Sequence, residues 1–114
     1  MTIREVAEAL GLQHGASDPA EDREVSGVYV GDLLSDVMAH SRQGQIWITI
    51  QVHLNIVAVA VLKEHAAILL VNGRTPAEDT LRKAAEEHVP VLRSDLTAYD
   101  ICCRLHALGV GGDS

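Results

Sequence analysis

The chain has 114 residues, 47% hydrophobic and 22% charged, with 9 Lys and Arg against 16 Asp and Glu for a net charge of −7. That length fits one domain with one core, large enough to fold without disulfide or metal staples. The acidic balance argues against a nucleic-acid-binding surface and against docking on anionic lipid, since both need clustered Lys and Arg.

In chain order, Thr2 to Glu5 has capping-box spacing, Ile3, Val6, Ala7 and Leu10 share one helical stripe, and Gly11 ends the helix. Residues 13–23 are polar and acidic without periodicity and read as a loop. Glu24 to Val30 is β-branched and aromatic, a strand closed by Gly31 and Asp32, and Leu33 to Ser41 reads as a short helix. A turn at Arg42 to Gly44 leads into a second strand from Gln45, QIWITI.

The run Asn55 to Lys63 (NIVAVAVLK) shows no alternation and is expected to be buried on every side. Its β-branched residues favour a strand. A parallel strand at 66–71 needs a crossover of about a dozen residues before it, which favours a helix. Ala66 to Val71 is the third strand. Thr75-Pro76-Ala77-Glu78 has the pattern of a helix start, with Thr75 as cap, and Ala77, Leu81, Ala84, Ala85 and His88 mark that helix's inner stripe. Pro90 to Leu92 is a fourth strand, and Thr97 caps a final helix reaching Gly109.

Strands alternating with helices predict an α/β fold: a single domain over 1–110, with a four-stranded, mainly parallel sheet flanked by helices and an extra N-terminal helix. Residues 111–114 are expected to be a flexible tail. The N-terminus MTIREVAEAL has no basic start and no apolar core of a signal peptide. The uncharged run Ile46 to Leu62 carries Gln51, His53 and Asn55 and is not a membrane span, so the chain is expected in the cytoplasm. Cys102 and Cys103 point about 100° apart on a helix and read as free thiols.

In such a sheet every strand-to-helix corner lies on the carboxyl edge, where ligands bind. The corners bring Gly31 and Asp32; Gln51, His53 and Asn55; Asn72, Gly73, Arg74 and Thr75; and Thr97 to one crevice. Helix N-termini pointing there favour an anion. Capping alone also accounts for Asp32, Thr75 and Thr97, but capping needs no histidine, which leaves His53 as the distinctive residue. His14, His40, His65, His88 and His106 have no ligand spacing, so neither metal nor cofactor is expected. No phosphate loop, dinucleotide fingerprint or nucleophile elbow is present, and no catalytic residue stands out.

The stretches DREVSGVYVGDLLSDVMAH, WITIQVHLNIVAVAVL and TPAEDTLRKAAEEHVPVLRSDLTAYDICCRL resemble the DRTGG-domain family over about residues 2–110. That family is similar to the N-terminal domain of HPr kinase/phosphorylase and to a domain of phosphotransacetylases. Of the name-giving residues, Asp32 matches the Asp, Leu33 stands in place of the Arg, and Val71-Asn72-Gly73 keeps one glycine. The resemblance implies a regulatory module, oligomeric and expected as a homodimer, without the kinase's phosphate loop.

The resulting expectation is a non-catalytic, ligand-sensing domain for a small anionic metabolite or nucleotide. One alternative is a protein-interaction adaptor for a partner enzyme, hydrogenase- or kinase-associated. The other is an enzyme using His53 as general base.

Overall fold

The computed structural model describes residues 1–16 and 19–111. The capping box at Thr2 forms, with the Glu5 side chain accepting from the Thr2 backbone, and it starts α1 (Ile3–Leu10). Gly11 closes that helix in the left-handed conformation. There follow β1 (Gln13–Ala16), a short 3-10 turn (Pro19–Asp22), β2 (Gly27–Val30), α2 (Leu34–His40), β3 (Gln45–Thr49), α3 (Asn55–Lys63), β4 (Ala67–Leu70), α4 (Glu78–Glu86), β5 (Val91–Arg93) and α5 (Ala98–Ala107). The tail expected at 111–114 lies outside the described residues except for Gly111.

The sheet order is β1-β5-β4-β3-β2. β2 to β5 are parallel neighbours in chain order, and β1 adds an antiparallel edge beside β5. The sheet therefore has five strands, not four, and the extra one lies in the stretch expected to be loop. Gly15 makes that edge possible. A Cβ there would sit 2.9 Å from the Val91 carbonyl oxygen and 3.2 Å from a Leu81 methyl, so β1 approaches β5 only as glycine.

Sequential parallel strands with right-handed crossovers put α2, α3 and α4 on one face. Trp47, Ile68, Leu70 and Val91 pack there against Val37, Ile56, Val57 and Ala84. On the other face Ile46, Ile48, Leu69 and Leu92 pack against Ile3 and Val6 of α1 and Ile101 and Leu105 of α5. β3 and β4 are buried along their whole length, as central parallel strands must be.

The crossover argument holds, since 55–63 is a helix. It is not buried on every side, however: Val61 is 42% and Leu62 67% exposed. In α4 the inner residues are Thr80 and Ala84, while Ala85 and His88 face outward. His88 stands past the helix end with φ 58, where its side chain cannot extend the helical stripe.

Candidate functional site

At the exits of β2 and β3 the polar residues are cross-linked. Trp47 Nε1 donates to the Gly31 carbonyl at 2.8 Å. Asp32 Oδ1 accepts from Thr49 Oγ1 at 2.8 Å and from the Ile50 N–H at 2.9 Å. Gln51 Nε2 donates to the Asp32 carbonyl at 2.9 Å. Asp32 thus ties two loops together and does not cap α2, whose N-cap is Leu33 with no side-chain bond. Beyond Gln51 the loop leans on α4, because the Val52 carbonyl accepts from the Ala77 N–H and from Thr80 Oγ1.

His53 and Asn55 are exposed at the start of α3. That helix has Leu54 as N-cap, no side-chain cap and no acidic residue in its first turn. The Ile56 and Val57 N–H groups are bonded to the His53 and Leu54 carbonyls, and the Leu54 and Asn55 N–H groups have no partner among the described residues. α2 and α4 also start without side-chain caps, but Asp36, and Glu78 with Asp79, supply negative charge in their first turns.

The exits of β4 and β5 are zipped to each other. Asn72 and Gly73, at φ 59 and 66, donate their N–H groups to the Leu96 and Ser94 carbonyls, both at 2.9 Å. These bonds join the two loops at the point where they part toward opposite faces. Thr75 is not the cap of α4, which begins at Glu78 after Ala77. Its hydroxyl instead accepts from Arg93 Nη2 at 3.4 Å.

Arg93 is the site residue that sequence reasoning missed. It also donates to the Arg74 carbonyl at 3.3 Å, to the Gly73 carbonyl at 3.4 Å and to Gln13 Oε1 at 2.9 Å. All of these acceptors are neutral, so its charge is not cancelled by the bonds that hold it. A basic residue ending the last strand was the signal available. Arg74 is exposed, and its guanidinium makes no bond among the described residues. Thr97 does cap, accepting from the Asp100 N–H at 3.2 Å to start α5.

The ten residues therefore fall into two groups, one at β2/β3 and one at β4/β5. Three strand spacings separate the ends of the edge, about 14 Å. None of four surface cavities, of about 270 to 430 Å³, is lined by any of the ten. The edge is a shallow rim. Among the described residues its unengaged side chains are His53, Asn55, Asn72 and Arg74, and the His53 ring makes no hydrogen bond to a carboxylate.

The sheet thus carries its polar strand exits along one rim. The family model for the DRTGG domain matches residues 5–108, and the chain belongs to that family. Among solved structures, it is similar to the CBS and DRTGG domains of the regulatory region of Clostridium perfringens pyrophosphatase, crystallised with its activator diadenosine tetraphosphate. The TM-score is 0.74 at 16% identity, covering 98% of this chain and 48% of that one, so the likeness is one of fold. Among curated proteins, none matches the chain in sequence.

Proposed function

We propose that this chain is a non-catalytic regulatory domain that senses an anionic metabolite or nucleotide at the carboxyl edge of its sheet. The observation that carries the reading is the start of α3. Among the described residues its Leu54 and Asn55 N–H groups are met by no cap and no acidic side chain, and the His53 and Asn55 side chains are exposed there. A helix N-terminus in that state favours negative charge. The Gly31–Asp32–Gln51 network fixes the floor on one side. On the other side Gly73, Arg74 and Thr75 are held by Arg93 beside Asn72, Arg74 and Arg93 add positive charge, and Thr97 anchors the last helix.

A ligand that contacts every exit from β2 to β5 spans about 14 Å, which suits a nucleotide better than a small acid. The family relationship and the nucleotide activator of the pyrophosphatase regulatory region support this class of ligand. The domain acts in the cytoplasm on this reading. No helix among the described residues is long and apolar enough to cross a membrane.

The test is a thermal-shift titration with diadenosine tetraphosphate, ATP, AMP, phosphate and central organic acids. A saturable rise with one class, lost in His53→Ala and in Asn55→Asp, supports the proposal. A flat response across the panel overturns it in favour of an adaptor. That second reading rests on the exposed apolar face of α3, where Leu54, Val61 and Leu62 are 43%, 42% and 67% exposed. A homodimer or a partner enzyme covers that face in the adaptor reading.

A further inference from the structure

The strand β2 is an outer strand of the sheet, and its free edge belongs to neither group of the rim. The Gly31 N–H bonds to the Ile48 carbonyl at 3.1 Å. Alternation along that parallel ladder turns the Gly27 and Tyr29 backbone toward β3 as well. It leaves the N–H and C=O groups of Val28 and Val30 pointing out of the sheet. Where this edge begins it already takes an antiparallel neighbour: Thr2 bridges Glu24, and the Val25 N–H donates to the Met1 carbonyl at 2.9 Å. From Gly27 to Val30 it has no outer neighbour among the described residues.

Proteins ordinarily guard such an edge with charged side chains or proline. The stretch Val25 to Gly31 (VSGVYVG) has neither. Its surroundings are apolar instead: Val30 is 50% exposed, Leu33 just past the strand 68%, and Met1 beside Val25 43%. A groove of about 270 Å³ runs between β2 and α5, lined by Val28, Val30, Cys102, Leu105, His106 and Val110.

Register and charge say what fits this edge. Facing residues of an antiparallel pair whose backbone groups point at each other exchange two hydrogen bonds. A two-fold axis through Tyr29 sets Val28 of one copy opposite Val30 of the other, twice over. The two N–H and two C=O groups of each copy are then all used. The facing valines lie on the α5 side, where β-branched cross-strand pairs are favourable. A chain of net charge −7 associates with itself most readily along an uncharged seam, and this strand is one.

We propose that two copies of this chain join β2 to β2, antiparallel about a two-fold axis at Tyr29, into one continuous sheet, with the paired valines closing both α5 grooves. The seam is separate from the rim and from the exposed face of α3, so it stands or falls independently of the proposed function.

The test is sedimentation velocity of the full chain from about 5 to 500 µM, because so short a seam makes a small interface and a concentration-dependent dimer. Amide hydrogen exchange is followed over the same range. The expected result is a dimer in which the Val28 and Val30 amides exchange about fivefold more slowly once about four-fifths of the chain is paired. Val30→Lys abolishes the dimer, and Leu62→Lys on α3 leaves it intact. In a Cys102→Ser, Cys103→Ser background, Tyr29→Cys cross-links two copies on mild oxidation, because its Cα atoms face each other at about 4.5 Å. Val30→Cys, which faces Val28, does not. A monomer at every concentration, a dimer that survives Val30→Lys, Val28 and Val30 amides unprotected in the dimer, or cross-linking at Val30 in place of Tyr29 would each overturn the seam.

Discussion

Acidification tests the buried His65 ring directly, because its proton affinity differs between the folded and unfolded chain. Burial, and then the Lys63 charge, hold its pKa at about 4 against the ordinary 6.5. Between those values the unfolded chain binds the proton and the folded chain does not. The stability tied to the neutral ring is therefore complete above about pH 6.5 and drains away as pH falls toward 4. Linkage makes the loss about 2 kcal/mol between pH 7 and pH 5, and roughly 3 kcal/mol by pH 4. For a domain of this size that is a fall of about 8 °C in Tm by pH 5 from this residue alone.

Urea unfolding followed by the fluorescence of Trp47, the single tryptophan, reads it out at each pH. The comparison is His65→Gln, which keeps a donor toward Ser41 and does not titrate. Wild type should lose about 2 kcal/mol more than the variant between pH 7 and pH 5, the carboxylates common to both cancelling. Stability curves that fall in parallel would refute the account, whatever the variant's absolute stability.

Thr97→Ala should cost about 1 kcal/mol in urea melts and Thr75→Ala a few tenths, because only Thr97 caps a helix. Equal losses would mean that Thr75 caps α4 after all. Asp32→Ala removes the acceptor of the Thr49 hydroxyl and the Ile50 N–H and should lower stability by about 2 kcal/mol. A shift in the urea midpoint indistinguishable from zero would show those bonds to be replaceable by water. Gly73→Ala puts a Cβ at φ 66 and 3.0 Å from Asp95 Oδ1, which should cost about 1 kcal/mol. A neutral or raised Tm would contradict the left-handed turn.

What the sequence disclosed and what it withheld separate along the range of the forces involved. The capping box at Thr2 and the αL glycine at Gly11 are local devices, legible within ten residues. The helix at 55–63 was legible for a topological reason, since the crossover between parallel strands overrides the β-branched Ile56, Val57, Val59 and Val61. β1 was not legible, because nothing in QHGA alternates. It is a strand because Gly15 can touch β5, because Arg93 grips Gln13 directly opposite it on β5, and because His14 Nδ1 lies 2.6 Å from the buried Glu21. The outward face of α3 escaped notice because an apolar run gives no sign of which side stays uncovered.

The two misplaced caps bear on the site itself. An Asp or Thr oxygen before a helix can accept from the helix N–H groups or from another loop, and here tertiary bonding wins. Asp32 is drawn to Thr49 and Ile50, and Thr75 to Arg93, so α2 and α4 begin without them. The same bonds make the rim rigid, which lowers the ordering cost of any ligand that settles on it. Where no such competitor exists, at Thr97, the cap forms, and its oxygen is spent on the Asp100 N–H. Thr97 therefore has the weakest claim of the ten to touch a ligand. His53, Asn55 and Arg74 have the strongest, because neither capping nor cross-linking uses their side chains, and His53 and Asn55 flank the one helix start on this rim, among the described residues, that no acid or cap has neutralised.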